Sequence, residues 1–154
     1  MELSNNSYKI AAGVGLVVLI VVTVVLFGFH LFEAENVQRG SIAYYLGLPP
    51  SVRSIPLTEE CQAPVYRWRG RDGESSPYIS TTYSSRSTAQ YILAFYKTAL
   101  AKLSCSPETT TSASFTDKGL IQFNCRRPDI LSISVWVGGE SPCRTVTLDI
   151  IENY

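Results

Sequence analysis

Hydrophobic and polar positions divide this chain into one continuous apolar stretch and a longer region of short alternating patterns. Ile10 to Phe32 is a run of 23 residues without Asp, Glu, Lys or Arg. A helix of this length rises about 34 Å, enough to cross a hydrocarbon core of about 30 Å. Because backbone polar groups in lipid must bond internally, the pattern predicts a transmembrane helix over 10–32. The stretch is longer than the apolar part of a cleaved signal peptide, so we expect an uncleaved signal anchor.

The segments that flank this stretch predict its orientation. The tail, residues 1–9, contains Lys9, whereas Glu33 and Glu35 follow the apolar run. The positive-inside rule then places the tail in the cytoplasm and the rest of the chain on the other side. We therefore expect the protein in the inner (cytoplasmic) membrane of a bacterial cell, with its C-terminal domain in the periplasm.

Small residues near the start of the predicted span suggest a contact with another helix. Ala11 and Gly15 lie four positions apart, so they share one helix face on which a second helix can approach closely. The alternative is that these residues only reflect the ordinary abundance of Gly and Ala in such helices. His30, the single histidine, is a weak candidate haem or pigment ligand without further ligands nearby, so we predict no cofactor.

Residues 33–60 have the composition of a juxtamembrane segment followed by a connector. Tyr44 and Tyr45 suit the headgroup layer, where one end of the ring is apolar and the other is hydrated. Prolines at 49, 50 and 56 end any helix and keep the following chain extended. The segment predicts membrane lipid as a partner and a semi-rigid spacer before the domain.

Residues 61–154 alternate in the manner of a small α+β domain. One amphipathic helix is predicted over Ser87–Leu103, with Ser87 and Gln90 as a capping box. Its apolar stripe consists of Ile92, Phe95, Tyr96, Ala99 and Leu103. The predicted strands are Val65–Trp68, Tyr78–Tyr83, Ser112–Thr116, Leu120–Cys125, Ile130–Val137 and Thr145–Ile151. The predicted fold is a two-layer domain in which this one helix packs on a mostly antiparallel sheet.

The four cysteines all follow the apolar stretch. Their even number and wide spacing favour two disulfides in an oxidising compartment over a zinc site. In a meander, Cys125 and Cys143 lie at opposite ends of the Ile130–Val137 strand, about 20 Å apart, too far for a bridge. Cys105 precedes the predicted Ser112 strand, whose start should lie beside the end of its hairpin partner at Cys125, so we predict the pairs Cys105–Cys125 and Cys61–Cys143.

The residue types required by most catalytic sites are missing from the predicted domain. Residues 33–154 contain no histidine and no CxxC motif, and no glycine-rich phosphate loop follows a strand. Lys plus Arg and Asp plus Glu both number 13, so no net charge favours nucleic acid as a partner. The sequence predicts a protein that is not an enzyme.

Two features of the strands are candidate contact sites. Arg67 and Arg69 share one face of their strand, which suggests either a cationic strip or a solvated face, since Asp72 and Glu74 lie nearby. Trp136 falls on the polar face of its strand. There it either anchors a partner or is covered by another part of the chain.

Two functional hypotheses follow. The first is a non-catalytic accessory or scaffold subunit of a larger membrane complex, which docks on other transmembrane subunits through its helix and its domain. The second is a free-standing anchored module that binds a peptide, a glycan or a lipid.

Overall fold

The computed structural model describes residues 4–71, 75–108, 119–140 and 142–153, and of residues 4–12, 27 and 29–32 it describes the backbone only. The chain divides into two compact units, with the division between Phe32 and Glu33.

The unit that precedes Glu33 contains helix α1 (Ser4–Phe32), which is 29 residues long. Its described side chains from Gly13 to Leu26 are exposed and, apart from Thr23, apolar. Among the residues that the structure describes, no helix is both long and apolar enough to cross a membrane. This finding contradicts the transmembrane part of the predicted fold class and leaves the signal anchor unsupported.

The second unit is built on a seven-stranded sheet. Its strands are β1 (Glu33–Gln38), β2 (Glu60–Arg69), β3 (Tyr78–Ser85), β4 (Cys105–Pro107), β5 (Gly119–Cys125), β6 (Ile130–Gly138) and β7 (Arg144–Glu152). The order across the sheet is β1-β2-β3-β7-β6-β5-β4, and every neighbouring pair is antiparallel. The mostly antiparallel sheet therefore agrees with the prediction. The predicted strand Ser112–Thr116 lies outside the described residues.

Residues 33–60, predicted to be a juxtamembrane segment and connector, form part of this second unit. Strand β1 pairs with β2, with Glu33 opposite Arg69 and Gln38 opposite Val65. Two short helices follow, α2 (Ile42–Gly47) and α3 (Pro50–Arg53). Their buried side chains belong to the same hydrophobic core as those of the sheet. The chain therefore folds onto the domain directly after α1.

More than one helix covers the apolar face of the sheet, in contrast to the prediction. Helix α4 (Ala89–Ala101) packs on β4, β5 and β6. Side chains of the segment that contains α2 and α3 cover the other half: Val52 and Ile55 lie against Tyr66, Leu148 and Ile150. A sheet of seven strands about 4.8 Å apart is wider than the roughly 10 Å diameter of one helix, so a single helix cannot cover its apolar face.

The N-cap of helix α4 lies one residue later than predicted. Thr88, and not Ser87, is the N-cap, and its side-chain oxygen accepts a hydrogen bond of 3.3 Å from the Tyr91 N–H. The buried stripe is Ala89, Ile92, Leu93, Tyr96 and Leu100. Phe95 and Leu103 of the predicted stripe are only partly buried, because the helix turns its Leu93 and Leu100 side toward the sheet.

Both predicted disulfides are present. Cys105 and Cys125 are direct partners in the register of β4 and β5. Cys61, near the start of β2, bonds to Cys143, the residue before β7, with the two Cα atoms 6.3 Å apart. The strand that holds Cys105 next to Cys125 is β4 itself, which the sequence pattern did not predict.

Candidate functional site

The sheet has one face packed under helices and a second face that we call the open face. Successive residues of a strand point to opposite faces, so the pairing register assigns every side chain to one of them. The packed face is apolar and carries residues such as Tyr83, Val135 and Leu148, all buried. The residues of the open face include Val65, Arg67, Arg69, Ser80, Thr82, Ser84, Leu120, Gln122, Asn124, Ser132, Ser134, Trp136, Thr145, Thr147 and Asp149.

Residues of the open face form rows across the strands. The register places Leu120 opposite Trp136, Trp136 opposite Thr147, and Thr147 opposite Thr82. Val65 continues this row on β2. A large aromatic side chain therefore lies next to Leu120 at the β5 end of a row whose other members from β2 to β5 are small or aliphatic.

Trp136 is the largest side chain of the open face, and it is 40% exposed. Its six-membered ring occupies the space above Gly138 that a Cβ at residue 138 would take. The indole therefore leans along its own strand, supported by bare backbone, and does not stand upright from the sheet. Glycine at this position is required by the close approach of the ring.

The neighbouring row is polar and carries both signs of charge. It contains Arg67, Ser80, Asp149, Ser134 and Gln122 in register. The Ser80 hydroxyl donates a hydrogen bond of 2.6 Å to Asp149 Oδ1. Two rows on one face lie about 7 Å apart, because each residue of a strand rises about 3.4 Å. The hydroxyl and amide groups therefore lie one row away from Trp136, on the side opposite to Gly138.

Arg67 and Arg69, for which the sequence suggested either a cationic strip or a solvated face, do lie on the open face. Arg69 makes an exposed ion pair with Glu33 of β1, with Nε and Oε1 3.5 Å apart. Arg67 is exposed and shares its row with Asp149. The positive charge of the strip is therefore balanced by nearby carboxylates, and the face as a whole is close to neutral.

Titratable groups with shifted pKa values lie away from the open face. Burial raises the pKa of Tyr83 and of Tyr96, whose hydroxyl oxygens are 2.9 Å apart inside the domain. A hydrogen bond from Arg127 lowers the pKa of Asp129 to about 2. The tyrosine pair is enclosed in the core, and Asp129 is held by its ion pair with Arg127, so both pairs are interpreted as structural.

The remaining predicted contact residues are distributed over the chain. Tyr44 is buried in the core, with its ring centroid 5.0 Å from that of Tyr66, whereas Tyr45 is exposed on α2. Gly15 has no neighbouring atom within 4 Å of a Cβ built on it, beyond its own helix. The side chains of Ala11 and His30 lie outside the described part of the structure.

Several residues of the open face were not singled out from the sequence. Strand alternation gives the face of Val65, Thr82 or Thr147, but only the order of strands shows that they share a row with Trp136. Leu131 was predicted on the apolar face of its strand, yet it is 49% exposed. A bulge between Ile130 and Ser132 shifts the register and turns Leu131 outward.

A metal centre and a ligand groove have little support among the described residues. Among the described residues, no group of three or more His, Cys, Asp or Glu side chains is placed to hold a metal ion. A shallow groove beside α4 has one charged side chain, Lys102, in its lining; it is formed by Ser54, Pro56, Phe95, Thr98, Ala99, Lys102 and Leu103. Comparisons with protein-family models, with curated proteins and with solved structures found no match to this chain.

Proposed function

We propose that the second unit is a non-catalytic binding module that holds a neutral oligosaccharide on the open face of its sheet. The observation that carries this proposal is Trp136, partly exposed over Gly138 on a face that is rich in Ser and Thr and also carries Gln122, Leu120, Val65 and a few balanced charges. Two disulfides support an extracytoplasmic compartment, where such ligands are common.

The chemistry of this face matches that of a sugar ring. A pyranose has C–H groups on its faces and hydroxyls around its edge, so it is apolar in one direction and hydrogen-bonding in the other. The indole offers an apolar, polarisable surface to the C–H groups. Ser134 and Gln122 supply hydroxyl and amide groups that both donate and accept, as the hydroxyl edge requires. The near-balance of charge favours a neutral ligand over an anionic one.

A protein partner fits this face less well. The cores of protein interfaces are depleted in Ser, and Ser, Thr, Val and Leu are under-represented among the residues that dominate binding energy. These four residue types account for most of the open face around Trp136. The accessory-subunit hypothesis therefore becomes the alternative outcome of the experiment.

The test is a titration of the full-length chain, in mild detergent, with a panel of soluble neutral oligosaccharides of different linkage. Binding is measured by tryptophan fluorescence and by calorimetry. We expect Trp136→Ala to weaken binding about tenfold or more, equivalent to about 1.4 kcal/mol. Tyr91→Ala is the matched control, since Tyr91 is an exposed aromatic residue of α4, a helix that covers the packed face.

The proposal fails if the parent binds no oligosaccharide of the panel, or if Trp136→Ala binds as tightly as the parent. A protein that copurifies with the parent in stoichiometric amount and is lost from Trp136→Ala would instead favour the accessory subunit.

A further inference from the structure

A second surface of the domain, independent of the open face, lies on helix α2. Ile42, Tyr45 and Leu46 are exposed by 76%, 57% and 60%. They stand at positions i, i+3 and i+4, which lie on one side of a helix. We call these three residues the α2 patch. An aliphatic side chain as exposed as Ile42, next to two other large side chains, requires an explanation beyond ordinary surface composition.

Helix α2 cannot rotate to bury the α2 patch, because the opposite side of the helix is fixed in the core. Tyr44 is buried and packs edge-on against Tyr66, with 5.0 Å between ring centroids. Ser41 caps the helix and accepts a hydrogen bond of 3.2 Å from the Tyr44 N–H. At the other end, Gly47 lies directly against the Trp68 indole. The helix is therefore anchored at both ends with its apolar side outward.

Charge at the border of the patch is positive. The Arg53 guanidinium lies over the Tyr45 ring, with Cζ 5.6 Å from the ring centroid. Arg53 is partly exposed, although its Nε is buried. Arg39, which precedes α2 in the chain, donates a hydrogen bond of 3.0 Å to Glu60, which neutralises it. One partly exposed cation therefore borders the aliphatic and aromatic side chains of the patch.

We infer that the α2 patch inserts into the surface of a lipid layer that contains anionic headgroups. Aliphatic side chains that enter the acyl boundary, a tyrosine at headgroup depth and an adjacent arginine are the composition of interfacial membrane contacts. Three side chains on a six-residue helix present too little area for a stable protein interface, which buries about 800 Å² per partner. A fluid layer needs no such matching area.

The order of the chain also favours lipid over a second protein. Ile42 follows the end of α1 by ten residues, and the described side chains of α1 from Val14 to Leu26 are exposed and mostly apolar. Two apolar segments of one chain are therefore exposed within a short length of sequence. A lipid phase can solvate both, whereas a protein partner would need two matching surfaces.

The experiment places a fluorescent reporter on the patch of the full-length chain. Ile42→Trp and, separately, Leu131→Trp are mixed with vesicles of brominated phosphatidylcholine and phosphatidylglycerol while detergent is removed. Bromine on the acyl chains quenches an indole that enters the boundary layer. After subtraction of the parent signal, we expect the indole from Ile42→Trp to be quenched at least about twofold more than that from Leu131→Trp. Leu46→Trp is expected to behave like Ile42→Trp.

The control and the opposing results are distinct. All three variants should keep both disulfides and the circular dichroism of the parent, since each changes an exposed side chain. Arg53→Gln in the Ile42→Trp background should lower the quenching in vesicles with phosphatidylglycerol. Equal quenching of Ile42→Trp and Leu131→Trp would overturn the inference. Self-association that Ile42→Ser abolishes, without any quenching, would assign the patch to a second copy and overturn it too.

Discussion

Tyr83 of β3 and Tyr96 of α4 are joined by a hydrogen bond of 2.9 Å between their hydroxyl oxygens, in the interior of the domain. The Thr58 N–H also donates to Tyr83 Oη, at 3.4 Å. Burial raises the pKa of both phenols, so both remain neutral at physiological pH. One small polar cluster therefore ties the helix, the sheet and the segment after α3 together.

The two tyrosines are predicted to contribute unequally. Tyr83→Phe leaves both the Tyr96 hydroxyl and the Thr58 N–H without a partner, and we expect a loss of about 2–3 kcal/mol in the free energy of unfolding. Tyr96→Phe leaves Tyr83 bonded to Thr58, and we expect a loss of about 1 kcal/mol. Urea unfolding measures both. Tyr45→Phe, at an exposed hydroxyl, is the control, and a larger loss for Tyr96→Phe than for Tyr83→Phe would contradict the bonding pattern.

Gly47 is predicted to be intolerant of any side chain. A Cβ at this position would overlap the Trp68 ring, which is buried and cannot move away. We expect Gly47→Ala to lower the free energy of unfolding by about 1–3 kcal/mol through overpacking. Gly15→Ala, where a Cβ meets no atom within 4 Å, should leave the unfolding of the domain unchanged. Equal stability of the two variants would mean that α2 is not seated on Trp68.

Removal of the two disulfides is expected to differ in cost because the loops that they close differ in length. Cys61 and Cys143 are 82 residues apart, whereas Cys105 and Cys125 are 20 apart. In the chain-entropy model the longer loop stabilises by about 4.5 kcal/mol and the shorter by about 3 kcal/mol. Unfolding of the two Cys-to-Ser double variants, each with the other bond intact, measures this order. A greater loss from the shorter loop would require an enthalpic explanation.

The ionised carboxylate of Glu152 is predicted to destabilise the fold at neutral pH. Burial, followed by the negative charge of Asp129, raises the pKa of the Glu152 carboxyl above its ordinary 4.5. The protonated carboxyl therefore stabilises the folded state relative to the carboxylate. This stabilisation is fully present below pH 4.5 and is lost as the pH rises through the higher folded-state pKa. We expect Glu152→Gln to raise the thermal midpoint at pH 7 and to leave it unchanged in acid. A lower midpoint at pH 7 would contradict this sign.

Asp129 has the opposite dependence on pH. Arg127 Nε donates a hydrogen bond of 2.9 Å to Asp129 Oδ1, and the pKa of the carboxyl falls from 3.8 to about 2. The stabilisation is therefore present above pH 3.8 and is lost as the pH falls toward 2. This stabilisation is small because both side chains are partly exposed to solvent, by 29% and 38%. In an NMR titration, Arg127→Gln should return the pKa of Asp129 toward 3.8, and an unchanged pKa would exclude this pair as the cause.

Sequence patterns predicted the parts of the fold that depend on local chemistry. Strands β2, β3, β5, β6 and β7 alternate clearly, and α4 carries an apolar stripe. The polar sequence of β1 does not alternate, and β4 has three residues, so pairing with a neighbour decides both. The burial of Tyr44 was missed for a related reason. A short helix followed by two prolines resembles a connector in sequence. Its burial depends on the width of the sheet, which one helix cannot cover.

The candidate site shows the same division. Alternation alone placed Trp136 and Arg67 on the polar side of their strands. The relation between Trp136 and Gly138 was missed because a Gly138-Gly139 pair already has an explanation as a turn, and Gly139 does have a positive φ of 79°. The neighbours Thr147 and Thr82 depend on β7 lying between β6 and β3, which no local pattern reveals.

The bond between Cys61 and Cys143 determines how the domain would respond to mechanical tension. If its two ends, near Glu33 and Asn153, are pulled apart, the load passes from Cys61 to Cys143 through the disulfide. The residues between these cysteines, which include α4 and strands β3 to β6, then carry no force. Only residues 33–60 and 144–153 can be drawn out. Strand β7 is held between β3 and β6, whereas β1 pairs with β2 alone, so a pull would strip β1 from its edge first.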